Sequence, residues 1–456
     1  MYIEDTIASI ATPIGSGGIG IIRISGSSSL EVAERVFNKF QNGGYESHRF
    51  YYGRIKNPVT HELLDEGMLV FMKGPRSYTR EDVVELHCHG GYLVVQRVLD
   101  VCLSAGARLA EPGEFTRRAY LNGRIDLCQA EAVMDLIQSR TDASLAVAQS
   151  QREGHLSKLL HDVAGNLRTA LAYIEAFIDF PEDDIDISSQ ELIASALTSC
   201  DGVITGLLNT FDEGRVIRDG ITVMLAGKPN VGKSSLLNLL LSEQRAIVSH
   251  IPGTTRDTIE EVVEIGGLPV RLIDSAGIRT SRDEIEMEGV KRALDKLETA
   301  DLVLLVVDGS APLDSADYDI IRTVAGKRCL AVINKSDLPQ MISDEDLQLD
   351  AGFIHISSRS GSGIDQLRSA VVRTFISGDI STALDHVIIT SARHRDILSR
   401  AAADLRQCHQ QLQAGAAAEL LADDVRSCLS AIGEITGSTS SDDILDIIFS
   451  SFCIGK

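Results

Sequence analysis

Hydrophobic positions in the first part of the chain follow a mixed pattern. Apolar runs at 19–24, 67–72 and 83–88 are separated by Gly and Pro, whereas 92–104 has apolar side chains at helical spacing. Short strands interrupted by a helix are typical of an α/β fold. We therefore predict one mixed α/β domain over residues 1–118.

The pattern changes to helical spacing from residue 119. Between 156 and 178, apolar residues recur mostly every three or four positions, and helical spacing returns after 385. Each helical part alone would leave an apolar stripe uncovered. We therefore predict one helical domain, built from 119–216 and 384–456 and interrupted by an insertion.

The insertion, residues 217–383, alternates short apolar strands with helical stretches. This alternation is typical of a doubly wound, mostly parallel sheet. The expected strands lie within the segments ITVMLAG, VRLIDSAG, DLVLLVVDG, CLAVINKSD and GFIHISS.

Composition narrows the functional class. The 456 residues carry a formal charge of −22, which argues against a protein that coats nucleic acid through a diffuse basic surface. Residues 1–118 hold 13 Lys+Arg against 14 Asp+Glu, so a polyanion would approach this part more easily. The eight cysteines form no C-x-x-C pair, and the N-terminus does not resemble a signal peptide. We expect a reduced, cytoplasmic protein that is not bound to a membrane.

A phosphate-binding motif follows the first strand of the insertion. Residues 227–234 fit G-x-x-x-x-G-K-[ST] and lead directly into a predicted helix. Backbone N–H groups and the helix N-terminus would bind phosphate, Lys233 would reach the β- and γ-phosphates, and Ser234 would bind Mg²⁺. A chance match is the alternative, and the strand before and helix after disfavour it.

Later motifs complete the pattern of a GTPase, and N-K-x-D among them indicates guanine specificity. Asp274 and Gly277 belong to a D-x-x-G motif at the end of one strand, with Asp274 near Mg²⁺ and the Gly277 N–H facing the γ-phosphate. Asp337, in N-K-x-D, can accept from both N1–H and the 2-amino group of guanine, which adenine lacks. Residues 357–359 can reach guanine O6. The inserted domain is therefore predicted to be a Ras-like P-loop GTPase domain.

The motifs identify the residues that would hydrolyse GTP less clearly than those that would bind it. In the switch segment 252–257 we assign Thr255 to Mg²⁺, with Thr254 as the neighbouring candidate. Ile278 follows D-x-x-G and cannot orient an attacking water as a glutamine would. The acidic stretch 283–288 can supply that function, although a solvated helix face is the alternative for any single carboxylate.

Taken together, the motifs resemble those of the MnmE (TrmE) family of tRNA-modification GTPases, over essentially the whole chain. They are GKPNVGKSS, PGTTRD, DSAGIR, NKSD and ISSR in the insertion, ATPIGSGGIGIIRISG, ELHCHGG and EPGEFTRRAYLNGRIDLCQAEAV before it, and the C-terminal FCIGK. Arg124 is a mild variation, because Lys also occurs there in the family.

The resemblance implies a homodimer with a folate-binding and dimerising N-terminal domain. It implies a potassium-activated GTPase acting with the flavoprotein MnmG (GidA) in a heterotetrameric-type complex. Together they would add an aminomethyl or carboxymethylaminomethyl group to C5 of the wobble uridine of certain tRNAs. The one-carbon unit would come from a methylene- or formyltetrahydrofolate, and GTP hydrolysis would drive dimerisation of the G domains.

The resemblance also implies roles for individual residues. Glu286 would position the attacking water, and Cys453 would act near the folate, although a solvated tail cysteine is the plain alternative. The expected folate contacts are Arg23, Glu85, Arg124 and Lys456, and the expected K⁺ ligands are Asn230, Ser249, Ile251 and Thr254. The expected GTP contacts are Asn230, Val231, Gly232, Lys233, Ser234, Ser235, Ser249, His250, Ile251, Pro252, Gly253, Thr254, Thr255, Asp274, Ser275, Ala276, Gly277, Asn334, Lys335, Ser336, Asp337, Ser357, Ser358 and Arg359.

Two other functional classes compete with this interpretation. A non-enzymatic GTPase that assists RNA or ribosome assembly would share the G domain. The modification enzyme is favoured by the expected folate contacts Arg23, Glu85 and Arg124 and by the FCIGK tail. A P-loop ATPase is disfavoured by the N-K-x-D motif at 334–337.

Overall fold

The computed structural model describes residues 5–13, 15–179, 187–243, 261–274, 295, 297–347, 349, 351–378, 380, 384, 386–439, 441–452 and 455. The chain divides into two compact units. The first unit contains residues 1–134 and 430–456, and the second contains 135–429. These units are coarser than the four predicted segments, and the predicted boundaries after 118, 216 and 383 stay predictions.

A seven-stranded sheet forms the centre of the first unit. Its order is β3-β4-β5-β6-β2-β1-β7, and every neighbouring pair is antiparallel except β1 and β7. The strands are β1 (Ile7–Ile10), β2 (Gly17–Ser25), β3 (Phe37–Lys39), β4 (Phe50–Lys56), β5 (Leu63–Met72), β6 (Val83–Gly90) and β7 (Arg108–Leu109).

Helices cover the apolar side chains of this sheet. Ile22 and Leu86 from the sheet pack with Val98 from α2, and all three are fully buried. A second cluster joins Leu127 to Phe449 near the end of the chain. The helices are α1 (Ser29–Val36), α2 (Tyr92–Ser104), α3 (Glu114–Leu121), α4 (Leu127–Gln138, which continues into the second unit) and α14 (Asp442–Ser450).

The second unit contains the long helices that the 3.6-residue pattern predicts. The apolar stretch at 156–178 lies in α6 (His155–Asp179), and α7 (Ile187–Asn209) packs against both α6 and α12 (Ala392–Gln413). The other helices of this part are α5 (Asp142–Arg152), α8 (Phe211–Asp219) and α13 (Ala418–Thr436, which continues into the first unit).

Among the described residues, one helical stretch, Gln190–Asp219, is long and apolar enough to cross a membrane by length and composition alone. A single stretch of this kind is weak evidence, because a core helix of a water-soluble protein can pass the same test.

The second unit also contains a six-stranded sheet in the order β13-β12-β11-β8-β10-β9. Only β9 runs antiparallel to its neighbour, and the other pairs are parallel. The strands are β8 (Ile221–Ala226), β9 (Glu261–Ile265), β10 (Leu268–Asp274), β11 (Leu302–Asp308), β12 (Cys329–Asn334) and β13 (Gly352–His355).

This sheet is buried on both faces, as a doubly wound fold requires. Val223 and Leu304 pack on one face with Leu236 of α9 (Lys233–Glu243), together with side chains of α11 (Ile364–Arg373). Met224 packs on the other face with Ile321 of α10 (Ser315–Val324). The predicted fold class is confirmed, and each of the five predicted segments contains a strand.

Candidate functional site

The nucleotide motifs meet at one edge of the six-stranded sheet. Parallel strands place their carboxyl ends together, and here β8, β10, β12 and β13 end in or just before a motif. Asp308 and Asn334 are direct register partners at this edge. The sheet topology thus gathers segments that are more than 100 residues apart in the chain.

Glycines let the loop between β8 and α9 pass close to its neighbours. Gly227 has a φ of 148°, and a Cβ there would lie only 2.2 Å from the Val306 carbonyl oxygen. Gly232 has a φ of 102°, and a Cβ there would lie 2.1 Å from Asn334 Nδ2. Any other residue at either position would force the loop away from the sheet edge.

The functional side chains of this loop are presented at the N-terminus of α9. Lys233 is the first residue of the helix, and its Nζ donates to the carbonyls of Gly227 (2.8 Å) and Lys228 (2.7 Å). Ser234 is exposed in the same turn, and Asn230 is exposed at a φ of 66°. An ammonium, a hydroxyl and the free N–H groups of a helix N-terminus form a site suited to phosphate and a divalent cation.

Asn334 ties the phosphate-binding loop to the loop after β13. Its side chain is fully buried, and its Nδ2 donates to the Val231 carbonyl at 2.7 Å and to Ser358 Oγ at 3.1 Å. Its Oδ1 accepts from the Ser358 backbone N–H at 2.9 Å. The carboxamide therefore fixes the distance between the loop expected to bind phosphate and the loop expected to bind the base.

Asp337 is the exposed acid of the N-K-x-D motif. Ser357 is buried, and its Oγ donates to Asp337 Oδ1 at 2.7 Å. This hydrogen bond lowers the pKa of Asp337, so the carboxylate is ionised at neutral pH. A carboxylate has about four acceptor sites, so it can still accept the two donors of a guanine edge.

Three ion pairs at this edge were not predicted from the sequence. Lys335, at a φ of 65°, pairs with Asp308 at 2.5 Å, and Asp308 is the last residue of β11. Lys228 lies 2.8 Å from Asp314 and 2.6 Å from Asp317 at the start of α10. The sequence feature that could have indicated the pair of Lys335 with Asp308 is that β11, like β10, ends in an aspartate.

The other predicted nucleotide contacts divide into two groups. In the described part, Val231 is buried, Ser235 is exposed in α9, Arg359 is exposed, and the Ser336 N–H donates to the Ile356 carbonyl. Asp274 is the last residue of β10. Outside the described residues lie Ser249, His250, Ile251, Pro252, Gly253, Thr254, Thr255, Ser275, Ala276, Gly277, Glu286, Cys453 and Lys456.

A second polar cluster lies on the sheet of the first unit. Arg23 on β2 is the register partner of Glu85 on β6, and their side chains pair at 2.9 Å. His87 Nε2 lies 3.3 Å from the other oxygen of Glu85. The hydrogen bond from His87 and the charge of Arg23 lower the pKa of Glu85, although burial opposes them.

An aromatic side chain connects this pair to Arg124. The guanidinium carbon of Arg124 lies 4.9 Å from the centre of the Tyr78 ring, and that of Arg23 lies 5.7 Å from it. Arg124 also donates to the Ser77 carbonyl at 3.1 Å. The structure thus brings Arg23, Glu85 and Arg124 together around Tyr78, a residue that no sequence motif identified.

Gly455, near the end of the chain, reaches the same cluster. Arg23 Nη1 donates to the Gly455 carbonyl at 3.5 Å. Gly455 has a φ of 97°, and a Cβ there would lie 2.1 Å from the Ile10 carbonyl oxygen at the end of β1. A cavity of about 270 Å³ also borders Ile10 and is lined by Thr12, Tyr92 and neighbouring residues. One glycine of the FCIGK segment therefore lies beside the predicted folate contacts.

The doubly wound sheet, the phosphate-binding loop and the exposed acid of N-K-x-D define a GTP-binding domain of the P-loop GTPase class. Comparison with known families extends this to the whole chain. The model for the GTP-binding protein TrmE N-terminus matches residues 6–124, and the model for the MnmE helical domain matches 127–453. The chain belongs to the MnmE family of tRNA modification GTPases.

Relatives support this assignment over their full length. Proteins named tRNA modification GTPase MnmE from Geobacter sulfurreducens and Chloroflexus aurantiacus are 55% and 47% identical, and 100% of each chain is covered. A solved structure of the G domain of the T. maritima iron transporter FeoB is 29% identical with a TM-score of 0.27. That match covers 34% of this chain and 98% of the other, and a score this low carries no argument about this chain.

Proposed function

We propose that this protein is a potassium-activated GTPase that modifies the wobble uridine of certain tRNAs. With a flavoprotein partner of the MnmG type, it adds an aminomethyl or carboxymethylaminomethyl group to C5. The one-carbon unit comes from a tetrahydrofolate derivative. The observation that carries this proposal is the cluster of Arg23, Glu85, Arg124 and Gly455 around Tyr78, because an assembly GTPase has no use for it.

The chemistry of this cluster suits a folate. The guanidinium groups of Arg23 and Arg124 can pair with the carboxylates of a glutamate tail, and the Glu85 carboxylate can accept from pterin N–H groups. The ionised state of Glu85 is favoured by His87, which keeps it an acceptor. By resemblance, Lys456 adds a further cation, and Cys453 acts close to the one-carbon unit.

The GTPase reaction is assigned to the second unit. Lys233 and the N-terminus of α9 stabilise negative charge on the phosphates, and Ser234 and Thr255 supply hydroxyls to Mg²⁺. The exposed carboxamide of Asn230 has no recorded side-chain partner among the described residues, so its oxygen is available to K⁺. By resemblance, Ser249, Ile251 and Thr254 complete the K⁺ shell.

Two further features follow by resemblance. Glu286 positions the attacking water, because Ile278 cannot. The protein is a cytoplasmic homodimer, and the G domains of the two copies meet during hydrolysis, which closes the switch loop over the cation.

Mass spectrometry of tRNA wobble nucleosides from a strain lacking this protein tests the proposal. We expect loss of the modified uridines and their return when the wild-type gene is restored. Unchanged uridines, combined with a defect in ribosome assembly, would favour the alternative of an RNA-assembly GTPase.

A further inference from the structure

The arginines of the first unit differ in whether they have a carboxylate partner. Of eleven arginines in this unit, eight lie within 4.0 Å of an Asp or Glu oxygen. Among the described residues, Arg76, Arg80 and Arg124 have no such partner. All three are exposed, as is Lys73.

These four cations lie together. Arg80 donates to the Asn122 carbonyl at 2.9 Å, and Arg124 donates to the Ser77 carbonyl at 3.1 Å. The Arg76 N–H donates to the Lys73 carbonyl within one turn. The loop 73–80 therefore lies against the turn 122–124, and we name the three cations of this loop the basic loop (Lys73, Arg76 and Arg80). Arg124, assigned above to the folate, borders it.

Acidic side chains next to the basic loop are engaged elsewhere. Glu81 accepts from Ser25 at 2.7 Å and pairs with the buried Arg118 at 3.2 Å. Asp82 accepts the Gly74 N–H at 2.8 Å. Neither carboxylate pairs with a basic-loop cation among the described residues, so these cations have no ion-pair partner there, on a chain whose net charge is −22.

The basic loop is held in a fixed conformation. Asn122 Nδ2 donates to the Thr79 carbonyl at 2.7 Å, in addition to the two arginine contacts. Arg80 sits at a φ of 61°, which a non-glycine residue rarely adopts without support. Cations presented from a rigid backbone lose less conformational entropy when they bind an anion.

We propose that the basic loop binds the phosphate backbone of the tRNA and so presents the substrate to the neighbouring cluster around Tyr78. This inference rests on the proposed function. The loop contains Tyr78 itself, so a backbone bound there lies next to the one-carbon site. Unpaired, exposed cations suit phosphate contacts, which supply affinity and orientation without reading sequence.

The test uses Lys73 and Arg76, because the structure records no side-chain partner for either among the described residues. The variant Lys73→Gln/Arg76→Gln removes two positive charges from the basic loop. The matched control Lys56→Gln/Arg97→Gln removes two charges elsewhere on the same unit. A third variant, Lys73→Arg/Arg76→Lys, keeps both charges and serves as the rescue.

Binding of an unmodified tRNA transcript to the full-length protein is measured by fluorescence anisotropy at several salt concentrations. Two lost phosphate contacts should make the slope of log affinity against log salt shallower by about 1.4–1.8. That corresponds to roughly 25- to 60-fold weaker binding at 0.1 M salt, and little change near 1 M. The rescue variant should bind like wild type, and GTP turnover should be unchanged in all variants.

Three outcomes would overturn the inference. One is unchanged tRNA binding in Lys73→Gln/Arg76→Gln, and another is an equal loss in the matched control, which would indicate a net-charge effect. The third is weaker binding of a triglutamyl but not a monoglutamyl folate with tRNA binding intact, which would assign the loop to a polyglutamate tail. Nucleoside analysis of the deletion strain tests the proposed function independently. A failure of the basic loop to bind tRNA is therefore distinguishable from a failure of the proposed function.

Discussion

Replacement of Asn334 by alanine should weaken binding of every purine nucleoside triphosphate, whatever its base. The carboxamide is fully buried and makes contacts to both Val231 and Ser358. Its removal leaves the Val231 carbonyl and the Ser358 N–H without this partner in the interior. Each unsatisfied buried group costs about 1–3 kcal/mol. Without this tie the two loops can separate in the free protein, and GTP must restore their spacing when it binds, so the cost falls on binding. Ser358 Oγ can compensate in part, and we expect a loss of about 2–3 kcal/mol, or roughly 30- to 150-fold in GTP affinity.

The assay is titration of fluorescent GTP and XTP into the full-length protein. Asp337→Asn is the matched comparison, because Asp337 lies in the same motif but is exposed and is expected to read the base. Asn334→Ala should reduce affinity for both nucleotides to a similar extent. If GTP affinity stays within about threefold of wild type, or if only GTP and not XTP is affected, the bridge between the two loops does not have the role assigned to it.

Further outcomes are expected. Asp337→Asn should shift preference from GTP towards XTP, with GTP binding weaker by about 2–4 kcal/mol, because an amide cannot accept both guanine donors; tight GTP binding would contradict this. GTP turnover should be at least about tenfold faster in K⁺ than in Na⁺ at equal ionic strength, and equal rates in the two salts would contradict this. The variant Glu286→Ala should lose most GTP turnover but keep GTP binding, and a fully active variant would contradict that role. Cys453→Ser should hydrolyse GTP normally but modify tRNA poorly, as measured by phosphate release and nucleoside analysis in parallel, and equal loss of both would indicate a structural tail. His87 and Arg23 lower the pKa of Glu85, so the ionised carboxylate stabilises the folded protein. This contribution to the free energy of unfolding is complete above about pH 4.5 and is lost as the pH falls through the folded-state pKa. Thermal melting temperatures of wild type and Glu85→Gln should therefore differ near pH 7 and converge in acid.

The nucleotide motifs can be recognised in the sequence because their signals are local. A P-loop is continuous in the chain and lies between a strand and a helix, so residues such as Lys233 can be assigned from spacing alone. The same holds for Asp337, whose motif follows a strand. The antiparallel edge strand β9 was not predicted, since it lies in a stretch with no motif and its pairing with β10 is a tertiary property.

The sequence alone did not predict which side chains pair between neighbouring strands. The ion pair of Lys335 with Asp308 joins the end of β11 to the residue after β12, and no spacing rule connects residues 27 positions apart. Tyr78 was missed for a similar reason. It lies in a loop without a motif, and its relation to Arg23 and Arg124 appears only when the sheet has formed. A resemblance could name those arginines, but it did not indicate what lies between them.

The two candidate sites occupy different compact units, and this explains why the two activities should be separable. The described nucleotide-site residues lie between 227 and 359, within the second unit, whereas Arg23, Glu85, Arg124 and Gly455 all belong to the first. The first-unit site also needs both ends of the chain, since Gly455 packs against the end of β1. The tail therefore belongs to the unit that holds the proposed folate contacts and lacks the nucleotide motifs. For this reason the loss expected for Cys453→Ser falls on tRNA modification and not on phosphate release.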